Sequence, residues 1–311
     1  MMNIRRFVHG ADEPIWVDVL NKHYADREDW RAITVEEFLL EAKAPDFDFE
    51  GRFVGESDGR PVGVVHANVD KLRTDMKGSI RLCVIPEFRS SVNQQLLDTA
   101  LRELKARGMV AAQAWADSDQ ADRIQLLEGS GFRSVRVFST MEADLDKTPQ
   151  DVGENRQVHI RPLRKDVDED VVLFNRLDNE SFREHFNYRP DTVEETRHHL
   201  LNNPYFREQE VFFALLGGES VGYVGVGIDD KYNLEKKVKA GEIFTIGVLK
   251  PFRRTGIGAR LLLHAFEILR AKGMNKAILG VDDANPTEAI MLYERVGFSA
   301  KRKHLTFERE L

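Results

Sequence analysis

The sequence predicts an α+β fold built as two tandem domains, each a twisted mixed sheet flanked by helices. Three observations lead there. Segments of strand-like apolar character alternate along the chain with segments whose apolar residues recur at helical spacing. Short signatures of the first half return in the second in the same order, which marks an internal repeat. The 311 residues suit two domains of about 150 residues each, and 42% hydrophobic content is enough to fill two cores.

The repeat fixes the outline. Ile4-Arg5-Arg6 returns as Ile160-Arg161-Pro162, and Thr34-Val-Glu-Glu37 as Thr192-Val-Glu-Glu195. Pro86-Glu-Phe-Arg89 returns approximately as Pro251-Phe-Arg253, Gly108-Met109 as Gly273-Met274, and Gly131-Phe132 as Gly297-Phe298. The intervals lengthen slowly, as a few loop insertions would make them. The polar stretch 147–157 reads as a linker, leaving domains at 1–146 and 158–311.

Within each half the expected order is an opening strand, helical segments, a hairpin, a strand entering a turn, a long helix, another strand, a short helix and closing strands. Both Thr-Val-Glu-Glu segments read as capping boxes, with Thr as N-cap and Glu at N3. In the second half the hairpin is 211–216 and 221–226 around Gly217-Gly218. A strand at 242–248 follows. The long helix opens near Ile257, with Leu261, Leu262, Ala265, Phe266, Ile268 and Leu269 on its apolar side. Gly273 ends it as a left-handed C′ residue. The strand 276–281 leads to a short helix that Asn285 should cap, with Pro286 at N1 and Glu288 at N3.

The turn between strand and long helix is the chemically telling part. In Arg253-Arg-Thr-Gly256-Ile-Gly258, glycines open a helix whose N–H groups lack intrahelical partners and sit at the positive dipole end. Such a turn can hold a phosphate. It is neither a P-loop, since no Gly-Lys-Ser/Thr is present, nor a dinucleotide fingerprint, since Leu261 stands where the third glycine would be.

Taken with Asn285-Pro-Thr-Glu-Ala289, Tyr293 and Gly297-Phe298, the chain from about 158 to 311 resembles the GNAT superfamily of acyl-CoA-dependent N-acetyltransferases. That family has an Arg/Gln-x-x-Gly-x-Gly/Ala turn, then a strand, then a helix opening on Asn-x-x-Ala and carrying a Tyr before Gly-Phe. One departure is Lys250, where the family usually has Pro. The two-domain layout is similar to that of the mycothiol synthase family. The resemblance implies that the strands 242–248 and 276–281 splay into a wedge for the pantetheine arm.

It also implies roles. Acetyl-CoA is the expected acyl donor, with no metal required. Its pyrophosphate would lie against the backbone of Arg253, Arg254, Thr255, Gly256, Ile257, Gly258 and Ala259, and its arm against Ile246, Gly247, Val248 and Asn285. Lys250, Arg253 and Arg254 would add positive charge. Glu242 lies before Arg253 at the spacing of the general base in many family members. The strand period places it on one face with Phe244 and Ile246. A desolvated carboxylate there could take a proton from an amine. Tyr293 would protonate the CoA thiolate, the phenol and thiol pKa values lying within about two units. His185, Phe186 and Tyr188 are candidates to line the acceptor site. The expected acceptor is a small polar amine; a peptide amine, or a non-catalytic acetyl-CoA sensor, are the alternatives.

The first half differs where the chemistry would be. Arg89-Ser-Ser-Val-Asn-Gln94 lacks both glycines. Counting back along its strand as Glu242 stands to Val248 lands on Gly78, and Leu127 stands where Tyr293 does. This domain is expected to be non-catalytic. A net charge of −7 gives no general attraction to nucleic acid or anionic membrane. The single cysteine, Cys83, lies in an apolar run and reads as a buried structural thiol. With no leader-like or membrane-length apolar run, the expected location is cytoplasmic.

Overall fold

The computed structural model describes every residue except Met1, Thr148, Gln150, Asp151, Arg207, Pro286 and Glu288. The chain divides into two compact units, Met1–Val137 together with His304–Leu311, and Phe138–Lys303.

The first unit contains β1 (Met2–Arg6), α1 (Glu13–His23), α2 (Val35–Glu41), β2 (Arg52–Ser57), β3 (Arg60–Asn68), β4 (Lys77–Val84), α3 (Arg89–Ala106), β5 (Ala111–Asp117) and α4 (Ala121–Gly129). Strand β6 (Arg133–Asp144) leads out of it. The second unit contains β7 (His159–Pro162), α5 (Asp168–Phe182), α6 (Val193–Asn202), β8 (Glu208–Leu216), β9 (Glu219–Ile228), α7 (Asp230–Lys236), β10 (Ala240–Val248), α8 (Ile257–Ala271), β11 (Lys276–Asp282) and α9 (Ala289–Val296). Strand β12 (Phe298–Glu310) follows.

The strands of the first unit run β1-β2-β3-β4-β5, and residues 304–310 of β12 then pair antiparallel with β5. Those of the second run β7-β8-β9-β10-β11, and residues 138–144 of β6 pair antiparallel with β11. In each unit one neighbouring pair is parallel, β4 with β5 and β10 with β11. The same mixed sheet is thus built twice, with the closing strands exchanged. The polar stretch 147–157 lies inside the second unit.

The repeated signatures turn out to be internal clasps. Arg5 pairs with Asp12 at 2.6 Å and Arg161 with Asp170 at 2.8 Å, each joining the opening strand to the start of the first helix. Both capping boxes are closed in full, Thr34 with Glu37 and Thr192 with Glu195. An arginine holds each box glutamate, buried Arg31 to Glu37 and half-buried Arg189 to Glu195, both at 2.9 Å. The Gly-Met pairs form Schellman ends: Gly108 and Gly273 have φ of +80° and +82°. Met109 donates to the Leu104 carbonyl and Met274 to that of Leu269.

Helix α8 runs as its apolar stripe requires, burying Leu261, Leu262, Ala265, Phe266 and Leu269 against one face of the second sheet. Each of the larger side chains contributes about 1.5–3 kcal/mol. The opposite face carries Val171, Phe174 and Leu177 of α5 and Leu200 of α6, packed on Val211, Phe213 and Tyr223. The β8–β9 hairpin turns on Gly217 and Gly218, both with positive φ. Helix α7 was not expected from the sequence. Its signal was Asp229, whose carboxylate caps it by accepting from the Tyr232 amide at 2.9 Å.

Candidate active site

Strands β10 and β11 pair over only three positions, Ala240 with Lys276, Gly241 with Ala277 and Glu242 with Ile278. Beyond them both strands continue unpaired to each other, β11 still held by β6 and β10 by β9. The wedge expected between them therefore opens at Glu242. A bulge follows at once on β10: Ile243 faces Val226 and Thr245 faces the next residue, Gly225, so Phe244 has no partner. The bulge corrects the expected register. Phe244 packs with the α5–α6 cluster, whereas Ile246 packs with the α8 cluster on the other face. Glu242, Phe244 and Ile246 do not share a side.

Gly241 approaches Leu269 of α8, which turns Glu242 to the α5–α6 side of the sheet. There Phe206 lies over Gly227, the cross-strand partner of Glu242, and stacks on Phe244 with ring centres 5.7 Å apart. The Glu242 side chain is exposed to solvent, while protein atoms crowd it from most other directions. That combination describes a carboxylate in a recess. Desolvation, with the like charge of Asp229 in second place, pushes its pKa up to about 7. Phe206 and Asp229 were not foreseen. Their parts emerge only once β9, β10 and the start of α7 are side by side.

After Val248, residues 250–252 form one tight turn and Arg254 and Gly256 adopt left-handed φ of +66° and +81°. Helix α8 opens at Gly256 with no side-chain cap among the described residues, which leaves its first-turn N–H donors for an anion. The two glycines have structural reasons as well. A Cβ at Gly256 would overlap the backbone of Gly153 and Asn155, whose amide donates to the Gly256 carbonyl at 3.1 Å. One at Gly258 would lie 2.8 Å from Leu292 of α9.

The cations of this turn are committed to the protein. Arg253 donates to the Val248 carbonyl at 2.9 Å and to that of Ser181, at the end of α5, at 3.0 Å. Its counterpart Arg89 donates to the His23 carbonyl, at the end of α1, at 3.0 Å. This shared tie explains why the arginine persists in a copy that has lost both glycines. Lys250 pairs with Glu184 at 2.6 Å.

Tyr293 on α9 is 7% exposed and meets Phe298 edge-on at 5.9 Å. Its hydroxyl makes no hydrogen bond among the described residues, and burial pushes its pKa up to about 12. It lies near enough to Tyr223 for charge on one to disfavour charge on the other. Asn285 accepts from the Thr287 amide and hydroxyl at 2.8 and 2.7 Å, an Asx turn. The Thr287 amide, two residues on, is the donor an Asn285 N-cap would hold; Pro286 and Glu288, expected at N1 and N3, lie outside the described residues. Among the other expected backbone positions, Ile246 and Val248 are half-buried, and Gly247 is covered by the Tyr223 ring. His185, Phe186 and Tyr188 sit half-buried on the loop after α5. There His185 meets Phe182 at 4.4 Å, and burial raises the Tyr188 phenol.

The first unit shows what the same frame looks like without this equipment. Strand β4 pairs with β3 without a bulge, so the position matching Glu242 is Ser79, opposite Gln113, and not Gly78 as direct counting suggested. Still no carboxylate stands there. Strands β4 and β5 also part after Ile80, but Arg123 of α4 bridges the opening by donating to the carbonyls of Leu82 and Trp115. In the second unit the residue at that point of the short helix is Ala289.

Residues 174–298 match the model of the acetyltransferase (GNAT) family. The chain is 26% identical over 277 residues to a mycothiol acetyltransferase of Thermobifida fusca, covering 84% of this chain and 83% of that one. It is 26% identical over 281 residues to one of Salinispora arenicola, covering 88% and 86%. Among solved structures, a tandem GNAT protein from the clavulanic acid biosynthesis pathway superposes with a TM-score of 0.76 at 13% identity, over 100% of this chain and 98% of that one. A GCN5-related N-acetyltransferase from Sphaerobacter thermophilus gives 0.72 at 21% identity, over 99% and 95%. With the strand, turn and helix that the sequence singled out all inside the matched segment, the chain carries an acetyltransferase domain of the GNAT family in its second unit.

Proposed function

We propose that the second unit transfers an acetyl group from acetyl-CoA to the primary amine of a small polar metabolite in a ternary complex, and that the first unit is non-catalytic. The observation that carries this reading is Glu242, a carboxylate with its pKa raised to about 7 at the point where β10 and β11 separate. An amine is protonated at neutral pH and cannot attack a thioester. A base poised near 7 can take that proton directly or through water. The relatives named mycothiol acetyltransferase, matched over most of both chains, support a small-molecule acceptor.

In this reading the uncapped start of α8 binds the pyrophosphate, and the backbone near Ile246 donates to the thioester oxygen as negative charge builds there. Glu242 accepts the ammonium proton, and the neutral amine adds to the thioester carbon. As the tetrahedral species collapses the C–S bond breaks, Tyr293 gives its proton to the departing sulfur, and the second proton on nitrogen passes through water to the Tyr293 phenolate. At about 12, the Tyr293 pKa stands further from an ordinary thiol than an unperturbed phenol does. A thiolate leaving into the same apolar surroundings is raised by the same desolvation, which narrows the gap.

The test is acetyl-CoA-dependent acetylation of a panel of small polar amines, with de-acetylated mycothiol first among them and peptides as the comparison. Turnover on a small amine that E242Q abolishes, with acetyl-CoA binding intact, supports the proposal. Turnover on peptides alone, or acetyl-CoA binding with no acceptor, overturns it.

A further inference from the structure

The polar group that the mechanism leaves unused is Asp178 on α5. Its Oδ1 accepts two hydrogen bonds from the sheet, one from the Tyr223 hydroxyl of β9 at 2.7 Å and one from the Thr245 hydroxyl of β10 at 3.3 Å. Thr245 is the first paired residue after the bulged Phe244, and Tyr223 lies across Gly247, two residues on. The carboxylate therefore holds β10 on both sides of its neighbour Ile246. Tyr223 is fully buried, and no cation pairs with Asp178 among the described residues. Burial also raises the Asp178 pKa, so keeping it there is costly.

The first unit supplies an internal control. With β3 and β4 in register, the residues matching Tyr223, Thr245 and Gly247 are Val64, Arg81 and Cys83, and Leu20 of α1 takes the place of Asp178. The polar set, the bulge and the carboxylate at the strand fork are present together in one unit and missing together from the other. A packing device needed for the fold alone would serve both copies.

We infer that Asp178 is a positioning residue of the acetyl-transfer site, which fixes the β10 bulge through Tyr223 and Thr245 and so sets the Ile246 backbone amide relative to Glu242. The inference rests on the reaction proposed above. Asp178 touches neither reacting partner; it acts by holding the strand that does. A strand free to relax its bulge would move that amide by a fraction of a residue step, and misplacement on the order of 1 Å can cost about 100-fold in rate.

The experiment compares Y223F, T245V, D178L and D178N with the unaltered protein. Y223F and D178L are expected to lower kcat about 10- to 100-fold, by the same positioning effect. T245V should have a smaller effect. The affinity for CoA lacking the acetyl group should be unchanged, because the α8 turn is untouched, while the preference for acetyl-CoA over CoA shrinks. D178N keeps an acceptor oxygen for both hydroxyls and should restore most of the rate; the alkaline-rising limb set by Glu242 should not move. Hydrogen exchange over 243–247, which needs no turnover, should quicken in Y223F and D178L and return toward normal in D178N. If D178L fails to fold, the near-isosteric Y223F decides. Unchanged kcat and exchange in Y223F, or D178N as impaired as D178L, overturns the inference. An unaltered protein with no acetyl transfer overturns the proposed reaction instead, while the exchange data still decide whether Asp178 holds the bulge.

Discussion

Glu242 concentrates the chemistry at a single side chain, and its environment makes a signed prediction. As the base it must be ionised, so kcat/KM should rise with pH through about 7 and level above it, and E242Q should flatten that limb while lowering kcat by roughly 100- to 10,000-fold. Stability should run the other way. The folded-state pKa lies above the ordinary 4.5, so the folded protein binds this proton more tightly than the unfolded chain does. Stability is therefore lost as pH rises from the unfolded value through the folded one. E242Q removes that loss, and its melting temperature should exceed that of the unaltered protein at pH 8 but not at pH 4. Single residues were unevenly legible. Glu242 and Tyr293 could be picked out because their chemistry and spacing stand in the sequence. The side-chain bonds of Arg253 were not legible, because they go to carbonyls at Val248 and Ser181 that no sequence pattern brings near it.

At the scale of elements, the turn into α8 carries the sharpest expectation. Alanine at Gly256 must adopt a φ near +81°, a penalty of roughly 1–2 kcal/mol for a side-chain-bearing residue. It must also displace the backbone at Gly153–Asn155. Alanine at Gly258 meets only the tip of Leu292. G256A should accordingly lower the melting temperature more than G258A, measured calorimetrically, even without cofactor. Capping boxes, Schellman glycines and the α8 stripe were all legible, since each is a local pattern with a local cause. The β10 bulge was not: Glu242-Ile-Phe-Thr reads as an unbroken strand, and the extra residue shows only against β9. For the same reason the strand count put Gly78 where Ser79 stands.

At the scale of the molecule, the repeat revealed two copies of one plan but not the exchange of their closing strands, because β6 and β12 occupy matching places in either pairing. The exchange predicts that a fragment ending at residue 146 lacks the partner of β5 and folds poorly. Adding a peptide of residues 298–311 should recover its circular dichroism and thermal transition. Titration calorimetry with acetyl-CoA should give one site per chain, since Arg123 closes the opening between β4 and β5. R123A tests whether that side chain alone keeps the first unit shut.

The exchange also imposes an order of events during synthesis. The first unit has nearly all its sequence early, yet the strand that covers the β5 edge leaves the ribosome only after the entire second unit. Until then an open strand edge rich in alanine and carrying Trp115 stays available for unwanted pairing. The nascent chain should consequently depend on trigger-type chaperones far longer than its early sequence would suggest, and slow translation of the acetyltransferase unit should cost soluble yield of the other.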